Sequence, residues 1–141
     1  MTRRPLLISL RLAAALFLSI VLGIATSSPA SAATGWDRCP RGYLCVFEDA
    51  NGLGHYAYFA GGASNLANPI GGFVFNDKIS SVWNNTTQPD GWCFYTNSGF
   101  TTPLFLMRGN NKNRTNLISG HNDKVSSLHI LYGCPGAYIY G

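Results

Sequence analysis

A chain of 141 residues with ten Lys and Arg against six Asp and Glu carries a formal charge of +4. Three of the ten basic residues, Arg3, Arg4 and Arg11, precede the first acidic one, which leaves seven against six in the body of the protein. Nucleic-acid binding needs a basic stripe; none is present, Lys112 and Arg114 around Asn113 read as a solvated loop, and a nucleic-acid partner is excluded.

The chain opens on those arginines and the apolar run Leu12–Ala25, then small residues up to Ala30-Ser31-Ala32. That order fits an export signal with a small-x-small cleavage site. The run is shorter than the roughly 20 residues of a membrane span. Residues 1–32 are therefore expected to be removed, leaving a secreted protein with no membrane attachment. Thr2-Arg3-Arg4 suggests the twin-arginine route, and the general route stays open. Residues 33–141 then make one domain, long enough for one core.

All four cysteines, Cys39, Cys45, Cys93 and Cys134, lie in that domain. An even count in an exported small domain predicts two disulfides. Without a Cys-x-x-Cys pair a zinc site is not expected. Three pairings are possible. Closeness in sequence, with Pro40 and Gly42 suited to a tight turn, favours Cys39 with Cys45 and hence Cys93 with Cys134.

The elements predicted next are all short and aromatic or β-branched, separated by Gly, Asn, Pro and Ser. In chain order they are 43–47, 56–59, 73–75, 79–83, 92–95, 104–107, 116–118 and 125–131, with 137–140 after the last cysteine. No helical apolar period is sustained. The order contains a repeat. Asn76-Asp77-Lys78-Ile79-Ser80-Ser81 returns 46 residues later as Asn122-Asp123-Lys124-Val125-Ser126-Ser127, and Cys45-Val46-Phe47 returns 48 residues later as Cys93-Phe94-Tyr95. One structural unit is used twice. The expected fold is an all-β, disulfide-stapled sandwich of two Greek keys, about 43–86 and about 91–132.

Phe47-Glu48-Asp49 with Gly54-His55-Tyr56 resembles the aromatic-acidic start and glycine hairpin of a βγ-crystallin Greek key. The two Asn-Asp-Lys-x-Ser-Ser stretches are similar to that superfamily's calcium-loop motif. The start Cys39-Pro40-Arg41-Gly42-Tyr43-Leu44-Cys45 resembles a narrower group, the secreted actinobacterial peptidase inhibitor family thirty-six of the streptomycete metalloproteinase-inhibitor type. The resemblance implies a βγ-crystallin-like domain whose partner is a secreted metalloproteinase.

It also implies a calcium site. Calcium takes six to eight oxygen ligands. By resemblance Ser80 and Ser126 ligate through hydroxyls, Lys78 and Lys124 through main-chain carbonyls, and Glu48 through a carbonyl from the neighbouring hairpin, with Thr96 in that place in the second copy. Asn76, Asp77, Asn122 and Asp123 ligate or brace the loops, each ion being clamped between loops of both copies. The same Asn, Asp and Ser residues also cap turns through their own backbone, so a purely structural role stands beside the calcium one.

A catalytic role finds no support. Glu48 is the only Glu and neighbours Asp49, and adjacent strand residues face opposite ways. His55, His121 and His129 lie in no nucleophile setting, and there is no Gly-x-Ser-x-Gly elbow or phosphate-cradling glycine loop. A tight inhibitor instead presents a rigid loop. By resemblance the targets are thermolysin-like enzymes that favour a large apolar residue after the scissile bond. That points to 99–105, with Phe100, Thr102, Leu104 and Phe105 as candidates, although 104–107 also reads as a core strand. The family's inhibitory type closes its reactive loop with a nearby cysteine pair; here the short loop is Cys39–Cys45. The reading is a monomeric, non-enzymatic peptidase inhibitor. The alternatives are a calcium-binding stability module and a cell-wall or chitin-binding antifungal protein using Trp36, Trp83 or Trp92.

Overall fold

The computed structural model describes residues 34–87, 91–109, 113–131 and 133–140; the expected export signal lies outside them. Eight strands are described: β1 Leu44–Phe47, β2 Tyr56–Phe59, β3 Ser81–Asn84, β4 Gly91–Asn97, β5 Thr101–Met107, β6 Arg114–Asn116, β7 Ser127–Leu131 and β8 Tyr138–Tyr140. They form two four-stranded sheets, ordered β2-β1-β3-β6 and β7-β4-β5-β8. All pairings are antiparallel except β5 with β8.

The alternation of each strand explains the layers. On β1, Leu44 and Val46 face the core between the sheets, while Cys45 and Phe47 face outward with Cys39, Trp36 and Trp83. On β4, Trp92 and Phe94 face the core, while Cys93 and Tyr95 face outward with Cys134 and Phe100. Each sheet therefore carries one disulfide on its outer face: Cys39–Cys45, six residues apart, and Cys93–Cys134, 41 apart. The core between the sheets also takes Leu66, Phe75, Ile79, Leu117 and Val125 from the connections.

The duplicated units exchange a segment. β6 of the second copy pairs with β3 of the first. In return, Ala63 of the first copy bridges Leu128 on β7, and the Leu66 amide donates to the Ser126 carbonyl. The structure corrects one predicted strand. Residues 73–75 form none: Phe73 closes a tight turn with Ile70 across Gly71 and Gly72, and Phe75 drops into the core. β6 also lies before the predicted 116–118, because the Leu117 amide turns inward to the Ser80 carbonyl and its side chain is buried.

Candidate functional site

The second serine of each repeated motif is a brace. Ser81 is fully buried; its hydroxyl donates to the Asp49 carbonyl at 2.6 Å and accepts the Gly52 amide at 3.1 Å. Ser127 does the same in the second copy, donating to the Asn97 carbonyl at 2.6 Å and accepting the Phe100 amide at 3.1 Å. Gly52 and Phe100 thus hold equivalent places, both left-handed, at φ 73° and 61°. At Gly52 a Cβ would lie 2.6 Å from the Trp36 amide nitrogen, so only glycine fits. Phe100 occupies the same conformation at a cost of about 1–2 kcal/mol and packs its ring on Tyr95 and His129, at centroid distances of 5.9 and 4.9 Å.

The residues before those serines face each other across the copies. The Asp77 amide donates to the Val125 carbonyl and the Asp123 amide to the Ile79 carbonyl, at 3.0 and 3.1 Å. Both aspartates are left-handed, a conformation Asp tolerates, and each accepts the amide NH₂ of its own preceding Asn76 or Asn122 at 2.7 Å. The two asparagines are braces in this arrangement.

An open cleft of about 230 Å³ lies there, lined by Glu48, Asp49, Asp77, Lys78, Ser80 and Asp123. Asp49 was not among the residues singled out from the sequence; its place next to Glu48 on the hairpin is the signal. The Lys78 ammonium lies 5.0 Å from the Phe73 ring centroid. Glu48 accepts from the His55 ring at 2.7 Å and from the His55 amide at 3.2 Å. Those bonds, the ring contact foremost, hold its carboxyl below its ordinary range. Besides the Lys78 ammonium, the lining offers carboxylate and hydroxyl oxygens, the hard donors that calcium takes. Among the described residues no three carboxylate, His or Cys side chains already converge as a metal cluster, so such a site would draw on hydroxyl and carbonyl oxygens.

The segment 99–105 divides. Its tip is tightly held, with Phe100 half-buried and its neighbours Gly99 and Thr101 exposed: the Gly99 amide donates to the Ser64 carbonyl at 2.7 Å, and the Asn97 amide group to the Thr102 hydroxyl at 3.0 Å. Thr102, like Phe100, is left-handed. Phe105 corrects the expectation. It is fully buried, with its ring 4.3 Å from that of Phe94, and cannot enter a protease cleft; Leu104 beside it is half-buried in β5. The Cys39–Cys45 loop is held by Asn85, a buried residue. Its side chain donates to the Cys39 and Pro40 carbonyls, and its backbone exchanges bonds with Gly42 and Tyr43. Gly42, at φ 90°, and Arg41 form the exposed turn.

The sugar-stacking expectation loses Trp92, which is 1% exposed in the core. Trp36 packs edge-on against Phe47 at 5.3 Å, and Trp83 lies under Arg114 at 5.9 Å. Among the described residues the exposed Tyr, Phe and Trp side chains are Tyr56, Tyr58 and Tyr138.

Residues 32–107 match peptidase inhibitor family I36. The chain belongs to that family. The match ends with β5, so the family signature spans the stapled loop and the first aspartate loop but not Asp123 or Cys134. The family is one of peptidase inhibitors, not of enzymes. Solved structures agree on the fold. A βγ-crystallin from Ciona intestinalis aligns at 22% identity and TM-score 0.51, over 64% of this chain and 100% of its own. A structure titled for the evolution of the eye-lens βγ-crystallin domain fold aligns at 17% and 0.53, over 71% and 93%. A βγ-crystallin domain from Clostridium beijerinckii aligns at 20% and 0.50, over 64% and 99%. Among curated proteins no sequence matches. Among the described residues no helix is long and apolar enough to cross a membrane.

Proposed function

We propose that the protein is exported, loses residues 1–32, and acts as a monomeric inhibitor of secreted metalloproteinases of the thermolysin type. Membership of an inhibitor family carries this reading. The physical support is rigidity: a loop already held in shape loses little entropy on binding. The hairpin tip 98–102 fits that need, with Phe100 as its large apolar residue and Thr102 beside it. The stapled turn at Arg41 is the comparator. Phe100→Gly removes the ring without backbone strain, since a left-handed position suits glycine; because the ring packs on Tyr95 and His129, the fold of the variant is checked by circular dichroism. The mature domain is expected to inhibit thermolysin near stoichiometry, Phe100→Gly to abolish that inhibition, and Arg41→Ala to preserve it. Inhibition that survives Phe100→Gly and is lost with Arg41→Ala would move the site to the stapled turn; none at large excess would end the metalloproteinase reading.

A second reading is favoured by the oxygen-lined cleft. Calcium there would be held by the Ser80 hydroxyl, the Asp123 carboxylate and carbonyls of Glu48 and Lys78, with Ser126, Asp77, Thr96 and Lys124 in the sister positions. The ion would supply a cross-link between loops of the two copies. Melting that rises with calcium and falls with chelator supports this reading; an unchanged melt removes it.

A further inference from the structure

On the calcium reading above, we infer that the duplicated loops are unequal: the domain takes one calcium ion, in the cleft of Ser80 and Asp123, while the sister loop at Ser126 is a closed structural brace. The backbone does not distinguish them. Both aspartates share the same left-handed conformation, the same Asn partner distance and the same cross-copy amide bond. The side chains do. Ser80 is half-buried at the cleft, and among the described residues its hydroxyl takes no hydrogen bond. Ser126 is 7% exposed, and its hydroxyl donates to Asp77 Oδ1 at 3.3 Å. An ion entering the second loop must therefore break a bond that the first loop does not contain.

The hairpins reinforce the difference. Glu48 and Asp49 line the first cleft, together with Asp77 and Asp123. Forty-eight residues on, the same places hold Thr96 and Asn97, both neutral. Their side chains are already engaged with Thr102, Thr96 Oγ1 on its carbonyl at 3.4 Å and Asn97 Nδ2 on its hydroxyl at 3.0 Å. Affinity for calcium follows the number of charged oxygen ligands and the rigidity of the site. The first cleft has carboxylates on its hairpin rim, and the second loop has none in those places. The symmetry of the Asn-Asp-Lys-x-Ser-Ser motif thus hides a functional asymmetry set by its neighbours.

The test is a calorimetric titration of the mature domain with calcium chloride in metal-free buffer. Wild type is expected to bind one ion. Ser80→Ala should weaken it more than about tenfold. Ser126→Ala should keep one ion with less than about threefold loss; because Ser126 is buried, its fold is checked by circular dichroism, and the wild-type stoichiometry carries the comparison if it fails. Two equivalent ions, or a greater loss with Ser126→Ala than with Ser80→Ala, overturns the inequality while leaving the calcium reading. No binding at all overturns both, and leaves the inhibition assay unaffected.

Discussion

Replacing Ser81 with alanine separates the two serines of the repeated motif. Its hydroxyl makes two bonds in a fully buried place, to the Asp49 carbonyl and from the Gly52 amide. Each bond contributes about 1 kcal/mol net, and a buried amide left without a partner costs about 1–3 kcal/mol. The expected loss is about 2–4 kcal/mol. A domain of this length shifts by roughly 4–5 °C per kcal/mol, so the melting temperature should fall by roughly 8–20 °C. Ser80→Ala, one residue away on the cleft side, should stay within about 0.5 kcal/mol in calcium-free buffer. Thermal and urea unfolding of both variants, followed by circular dichroism, gives the comparison. Equal, small effects would refute the reasoning that one serine braces the hairpin and the other faces the cleft.

Other outcomes follow from the same geometry. Burial, then the Lys124 charge, holds the His121 imidazole below its ordinary value of 6.5. The Ile118 amide donates to the Tyr140 oxygen, 2.9 Å from His121 Nδ1, so the Tyr140 hydroxyl is left to donate to an unprotonated ring. The unfolded chain takes up this proton first, so stability should decline as pH falls below about 6.5 and level off beneath the lower folded value; His121→Gln should flatten that part of a melting-against-pH curve, whereas the contribution of Glu48 is lost only as pH falls below its ordinary 4.5. Removing Cys93–Cys134 frees the longer loop and should cost about 4 kcal/mol, against about 2.4 kcal/mol for Cys39–Cys45, on chain-entropy grounds; denaturant titration of the two double-alanine variants checks the order. Gly52→Ala combines a left-handed residue with a backbone clash and should destabilise by roughly 2–5 kcal/mol, seen in the same titration. Phe105→Ala should cost about 3–5 kcal/mol as a cavity in the core, a stability defect rather than a selective loss of inhibition.

The duplication was legible because its landmarks are chemical. A buried serine hydroxyl bridging a hairpin and a left-handed aspartate both demand particular residues, and both recur. The strands with alternating apolar residues were legible for the same reason. The first copy's crossing segment was not. It is Gly61-Gly62-Ala63-Ser64, held by a single bridge and by amide bonds, and nothing in its composition signals a strand. The aromatic run at 73–75 misled in the opposite direction, because Phe75 is buried from a loop. At the candidate site the motif residues were visible, but Asp49 and the engagement of Ser126 with Asp77 depend on which loops the exchange brings together. Phe100 was read as a loop residue from its apolar side chain; its left-handed backbone, matching Gly52, emerges only from the hairpin geometry.

The central claim is inhibition, and it is tested most directly by titrating a fixed amount of thermolysin with the purified mature domain, residues 33–141, and following peptide hydrolysis. The account predicts a linear fall in activity that reaches its floor near one inhibitor per enzyme. Full activity at a large excess of correctly folded, disulfide-bonded domain would contradict it.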